Sequence, residues 1–127
     1  MFDDLIDEND LEWSEHRLRV EVMSLKKAGD VKSLFRLYGK LAHLLARRRN
    51  LLKAQDALND AEFLVVEHGW RGEQEEIWCY YDRALVFQEL GRPEISVNNL
   101  ARAEELLVSG RDDELQGLIE KAKEQLA

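Results

Sequence analysis

The chain has 127 residues with one proline, seven glycines and one cysteine, and 18 Lys and Arg against 26 Asp and Glu give a formal net charge of −8. The length predicts a single domain, and no stretch approaches the roughly 18 uncharged apolar residues of a membrane span. One cysteine excludes an internal disulfide and fits a cytoplasmic protein. The acidic balance disfavours nonspecific nucleic-acid binding by the chain as a whole.

Widely spaced turn signals predict an all-α fold. With so few glycines and one proline, a sheet protein with many turns is excluded, and the gaps between turn signals have the length of a helix. Short connections predict that neighbouring helices run antiparallel. The six predicted helices span 9–28, 31–48, 51–68, 74–90, 93–109 and 112–126.

The residues at these predicted boundaries have the chemistry of helix ends. Four glycines stand where a left-handed residue ends a helix: Gly29, Gly69, Gly91 and Gly110. Three polar residues can cap the next N-terminus: Asp30, Asn50 and Asp112. Pro93 fits the first turn of the fifth helix, where a missing N–H does no harm.

Two segments of the chain match each other at an offset of 42 residues. In this alignment large residues match large residues and small residues match small ones, as expected when one helical unit packs on the next. The matched pairs are Tyr38 with Tyr80, Ala42 with Ala84, Ala54 with Ser96, Leu58 with Leu100, and Ala61 with Ala103.

This pattern resembles the tetratricopeptide repeat in its long-helix variant, over about 35–68 and 77–110. The resemblance implies a short right-handed superhelix of helical hairpins, with a groove lined by the first helix of each repeat. Its parts would be an acidic tail (1–8), an N-terminal capping helix (9–30), repeat 1 (31–69), repeat 2 (74–110) and a C-terminal capping helix (112–127). Arg49 departs from the family by replacing the turn glycine of repeat 1.

Catalytic and metal-binding motifs are absent from the sequence. The three histidines are isolated in different predicted helices, and there is no paired-cysteine zinc motif or glycine-rich phosphate loop. Adjacent acids such as Glu75 and Glu76 point apart on a helix rather than converging on a substrate. We therefore expect a protein that is not an enzyme and that needs no cofactor or metal.

The charges are strongly segregated along the chain. Residues 1–15 contain seven acids and no base, whereas residues 31–55 contain seven bases and no acid. Helical spacing places Arg36, Lys40, His43 and Arg47 on one face of the second helix. By resemblance to the family, these line the groove beside an exposed strip formed by Trp78, Tyr81 and Leu85. For Trp78, packing in the core is the alternative. Arg48 and Arg49 are interpreted instead as complementing the helix C-terminus.

The acidic N-terminus allows two interpretations. Residues 1–15 could lie against the basic face, in the same chain or in a neighbouring copy. Alternatively Asn9 or Asp10 caps the first helix, the acids complement that N-terminus, and Trp13 packs locally. We favour the local arrangement.

These observations predict a non-catalytic interaction module, acting as an adaptor, a chaperone-like protein or a regulator. Arginine and lysine beside aromatics suit a partner that presents an acidic segment with large apolar anchors. The alternative is that the basic residues of the second helix form a solvated face that binds no ligand. Two other functions remain open: nucleic-acid binding through the 31–55 face, and homo-oligomerisation through a seam of Trp70, Trp78 and Tyr81.

Overall fold

The computed structural model describes residues 2–107 and 112–126, and within them the chain is all-helical with no strand. A short 3-10 helix (Asp3–Leu5) precedes the α-helices. These are α1 (Leu11–Ala28), α2 (Val31–Arg47), α3 (Leu51–Glu67), α4 (Gln74–Glu89), α5 (Pro93–Leu107) and α6 (Asp113–Leu126). The predicted helices are confirmed to within two residues at the described ends. The predicted turn at Gly110 lies outside the described residues.

Side-chain caps fix where several helices begin. The carboxylate of Asp30 accepts the N–H of Ser33 at 3.2 Å, and the amide oxygen of Asn50 accepts that of Lys53 at 3.1 Å. Asp112 caps α6 in the same way. Each cap satisfies a backbone donor that the first helical turn leaves without a partner. Helix α1 begins two residues later than predicted because Asp10 is its cap.

Four helices end in the same left-handed turn. The residue in that turn has φ of 71° at Gly29, 62° at Arg49, 69° at Gly69 and 76° at Gly91. In each case the next residue donates its N–H to a carbonyl five positions back, which is the Schellman arrangement. Arg49 is a departure in conformation as well as in sequence, because an L-residue with a Cβ is strained there.

The chain forms two compact units, residues 1–64 and 65–127, and the division falls within α3. In the first unit α1 packs against α2, and the 3-10 helix contacts α1. Helix α2 has an apolar stripe at helical spacing that is buried, formed by Leu34, Tyr38, Leu41 and Leu45, and Leu45 is wholly inaccessible. Burial of this stripe contributes hydrophobic stabilisation to the first unit.

In the second unit α4 packs against α5, and α6 contacts both. Ala84 and Ser96 are fully buried, and the Ser96 hydroxyl donates a 2.7 Å hydrogen bond to the Ala84 carbonyl. Small residues at both positions let the two helix backbones approach closely. On α6, Leu115, Ile119 and Ala122 complete this core.

The positions that match at the 42-residue offset have equivalent burial in the two copies. All ten side chains are buried except Tyr80, which is half-buried. The correspondence detected in the sequence is therefore a correspondence of core positions. Among the described residues, no helix combines the length and the apolar character needed to cross a bilayer.

Candidate binding face

The predicted basic residues of α2 lie together on the side of the helix that escapes the core. We call this surface the basic face and define it as Arg36, Lys40, His43 and Arg47. The side chains of Lys40 and Arg47 are 37% and 36% exposed, and Arg36 and His43 are half-buried. The structure thus confirms that they share a face, while the rest of α2 is largely buried.

An acidic segment of the same chain lies along the basic face. This N-terminal segment comprises residues 2–10. The Asp3 carboxylate accepts a hydrogen bond from the Lys40 Nζ at 3.1 Å. The two oxygens of Glu8 accept from both terminal nitrogens of the Arg47 guanidinium, a bidentate pair. Since Asp3 contacts the earlier base and Glu8 the later one, the segment runs in the direction of α2.

A third ion pair continues the contact beyond the segment. Glu15, on the second turn of α1, accepts from Arg48 at 2.5 Å and from Arg19 at 2.9 Å. Burial alone would raise the pKa of Glu15, but the hydrogen bonds from Arg19 and Arg48 outweigh it and the pKa is lowered. Glu15 therefore stays ionised and ties the start of α1 to the end of α2.

The ion pairs also affect the two acids of the segment. The hydrogen bond from Lys40 holds the pKa of Asp3 below its ordinary value of 3.8. The hydrogen bonds from Arg47 do the same for Glu8, whose ordinary pKa is 4.5. Both carboxylates are ionised at neutral pH and present two negative charges to the basic face.

The N-terminal segment combines these acids with apolar side chains. Phe2, Leu5 and Ile6 are half-buried, whereas every acid of the segment is exposed. The 3-10 helix that carries Leu5 packs against α1. The segment is therefore an acidic peptide with aromatic and aliphatic anchors, the chemistry that the sequence predicted for an external partner.

Backbone contacts fix the C-terminal half of the segment. The N–H of Asp7 donates to the hydroxyl of Ser14 at 2.7 Å, and Ser14 is fully buried. That hydroxyl donates in turn to the Asp10 carbonyl at 2.8 Å. Nearer the start of the segment, Arg17 donates to the Asp4 carbonyl at 3.3 Å. Ser14 was not singled out in the sequence, because an isolated serine near a helix start looks like a surface residue.

The structure corrects our preference for a purely local role of the acidic N-terminus. Asp10 does cap α1, through a 2.9 Å bond from the N–H of Trp13, as predicted. Trp13 is nevertheless 52% exposed and stacks only on His16 among the contacts described. Asp3 and Glu8 reach the basic face of α2. The local interpretation therefore holds for Asp10, and the basic-face interpretation holds for Asp3 and Glu8. Arg48 stands at the C-terminal end of α2, where it was predicted to complement the helix, and its guanidinium also contacts Glu15.

The aromatic part of the predicted surface is buried rather than exposed. Trp78 and Tyr81 on α4 are each 8% exposed and make an edge-to-face contact with ring centroids 5.5 Å apart. Leu85 is half-buried. Helix α4 packs against both α5 and α6, so few of its apolar side chains are left at the surface. Trp78 and Tyr81 are therefore core residues, and the predicted oligomerisation seam of these two with Trp70 is not an exposed strip.

Glu76 has a role that its sequence context hid. Its carboxylate is largely buried, pairs with Arg71 at 3.0 Å and accepts the N–H of Gly72 at 3.3 Å. It thereby closes the turn that precedes α4. Glu75 and Glu76 are adjacent in the sequence, but they are not equivalent surface acids. This arrangement is structural and carries no feature of a reactive site.

A separate groove of about 450 Å³ lies between α1, α2 and α3 within the first unit. Tyr38, Leu41 and Leu45 form part of its apolar wall, on a different side of α2 from the basic face. Charges of both signs surround it, including Lys26 and Asp60. Partial burial raises the pKa of Asp60. The groove lacks the single sign of charge that distinguishes the basic face.

Within residues 2–107 and 112–126, no three His, Cys, Asp or Glu side chains are arranged to hold a metal ion. Comparison with known proteins gave no matching family model, no matching curated protein and no matching solved structure. The class defined here is thus an all-α protein of packed helical hairpins with a basic face on its second helix.

Proposed function

We propose that this protein is a non-catalytic, cytoplasmic adaptor of the tetratricopeptide-repeat type. It binds an acidic segment of another protein, bearing aromatic or aliphatic anchors, on the basic face of α2. The observation that carries the proposal is the bidentate pair of Arg47 with Glu8, together with the pair of Lys40 with Asp3. These side chains are thus positioned to hold two carboxylates of one peptide segment.

The repeat assignment is supported by the burial of the matched positions in both copies and by the helix lengths. Helices α2 and α3 have 17 residues each, and α4 and α5 have 16 and 15, consistent with a long-helix repeat. A small-residue contact between the helices of a pair, such as Ser96 on Ala84, supports the same assignment.

Nucleic-acid binding is the less favoured function for this face. It would require Lys40, Arg47 and Arg48 to contact phosphates, whereas the groups that they contact in this chain are the carboxylates of a peptide. The surrounding charge is also unfavourable, because the chain as a whole carries −8.

Selection from a library of random 12-residue peptides tests the proposal. The bait is the full chain with Asp3→Asn and Glu8→Gln, which removes the charges that hold the segment. A matched bait adds Arg36→Glu and Arg47→Glu. We expect acidic peptides with an aromatic or aliphatic anchor to be enriched on the first bait only, and their binding to weaken with salt. Equal enrichment on both baits, or enrichment without acidic residues, contradicts the proposed function.

A further inference from the structure

The N-terminal segment occupies the side chains that the proposed function assigns to a partner. Lys40 and Arg47 lie seven residues apart on α2, about two helical turns or roughly 10 Å. Asp3 and Glu8 span the same two positions. An acidic partner cannot pair with Lys40 and Arg47 while Asp3 and Glu8 remain there.

The ion pairs that hold the segment against α2 are individually weak. Its ion pairs are largely exposed, and exposed pairs contribute little to stability because water and salt screen them. Ordering the segment also costs backbone conformational entropy for every residue fixed. In addition, Phe2 has a left-handed φ of 67°, a strained conformation for an aromatic residue that release of the segment would relieve.

Being in the same chain compensates for this weakness. A tethered ligand acts at an effective concentration in about the millimolar range, so a weakly held segment can still occupy its site most of the time. A partner in solution displaces the segment only if it binds the same side chains more tightly. The segment therefore sets a threshold of affinity rather than blocking the face permanently.

We propose that residues 2–10 are a built-in competitor of the partner, and that the partner carries the same pattern. That pattern is two carboxylates about five residues apart with apolar side chains between them, as Leu5 and Ile6 lie between Asp3 and Glu8. The inference rests on the proposed function, since it assumes that the basic face is the binding site. It adds the regulation of that site and the spacing of the acids that fit it.

The test uses a labelled synthetic peptide with the sequence of residues 2–10 and measures its fluorescence anisotropy against the full chain. The chain is compared as wild type and with Asp3→Asn plus Glu8→Gln, which remove the two charges and keep the side-chain shapes. The matched control is Glu67→Gln plus Glu124→Gln, which removes two exposed carboxylates elsewhere. A fourth chain adds Arg36→Glu and Arg47→Glu to the Asp3 and Glu8 substitutions. Circular dichroism verifies that each chain keeps its helicity.

We expect the peptide to bind the Asp3→Asn, Glu8→Gln chain at least tenfold more tightly than the wild type or the control, and to lose binding to the fourth chain. Equal affinity for the first three chains, with loss on the fourth, overturns competition and leaves the basic face as a binding site. Binding to none of the four, or equal binding to all four, overturns both the competition and the recognition of acidic segments by this face.

Discussion

The buried hydroxyl of Ser14 accepts a 2.7 Å hydrogen bond from the backbone N–H of Asp7, seven residues earlier in the chain. This contact joins the N-terminal segment to the start of α1. Asp10 accepts the N–H of Trp13 in the same region, so the turn has both a side-chain cap and a buried anchor. Glu8, which pairs with Arg47, lies between Asp7 and Asp10 in the chain.

Replacing Ser14 with alanine tests the anchor. Loss of the hydroxyl leaves the N–H of Asp7 without this acceptor, so we expect a loss of about 1 kcal/mol in the free energy of unfolding. Faster amide exchange at Asp7 should accompany it. Urea denaturation and hydrogen-exchange NMR measure the two effects. The control is Ser24→Ala, an exposed position on the same helix, and equal effects of the two substitutions contradict the anchoring role.

The lowered pKa values of Asp3 and Glu8 predict how the segment responds to acid. The contact is fully present above the ordinary values of 3.8 and 4.5, and it is lost as the pH falls through the lower values of the folded protein. NMR titration of the carboxyl carbons should give both pKa values below the ordinary ones.

The control for this titration is Lys40→Met, which removes both the hydrogen bond and the positive charge that Lys40 presents to Asp3. We expect the pKa of Asp3 to move back towards 3.8 while that of Glu8 stays low. A wild-type Asp3 that titrates at or above 3.8 contradicts the ion pair.

Arg49 occupies a left-handed position that glycine fills at three other helix ends. Arg49→Gly should therefore stabilise the protein by about 0.5–1 kcal/mol, because relief of backbone strain exceeds the entropy that glycine adds to the unfolded chain. Urea denaturation measures the change.

Two substitutions separate backbone strain from the loss of the arginine side chain. Arg49→Ala removes the guanidinium but keeps a Cβ in the strained conformation, so it should not stabilise. Gly29→Ala introduces that strain at a site where the added Cβ meets no atom within 4 Å, and should destabilise by about 1 kcal/mol. If Arg49→Gly and Arg49→Ala raise the free energy of unfolding equally, the effect comes from loss of the arginine charge and not from relief of backbone strain.

The hydrogen bond from Ser96 to the Ala84 carbonyl brings α5 close to α4. It predicts that a side chain larger than serine does not fit at position 96. Both residues are fully buried, so Ser96→Val should destabilise by about 1–3 kcal/mol through overpacking and loss of the bond. Ser96→Ala loses only the bond and should cost about 1 kcal/mol. Thermal unfolding ranks the two, with the half-exposed Val97→Ala as control. If Ser96→Val destabilises the protein no more than Ser96→Ala does, the two helices are not closely packed at this contact.

The helices were predictable because their ends are determined by local chemistry. A capping carboxylate such as Asp30 acts within three residues, and a left-handed glycine such as Gly91 acts within the last turn. The shared face of Arg36, Lys40, His43 and Arg47 followed from helical spacing alone. These features need no knowledge of the tertiary structure.

The occupant of the basic face and the burial of the aromatics were not predictable in this way. Asp3 and Lys40 lie 37 residues apart in the chain, and charge complementarity alone did not distinguish a contact within the chain from solvation. On α4, apolar residues occur around most of the helix, so spacing did not reveal that Trp78 and Tyr81 face inward. Both outcomes depend on how the helices pack.

The pairing of the N-terminal segment with α2 makes some common assays insensitive to whether that segment is bound. The segment stays part of the chain whether or not it contacts α2, so attaching or releasing it leaves the formal net charge of −8 at pH 7 unchanged. A separation by net charge at neutral pH would therefore not distinguish the two states. Retention on a heparin column, which responds to a local cluster of bases, would distinguish them and could serve as a simple readout of occupancy during purification.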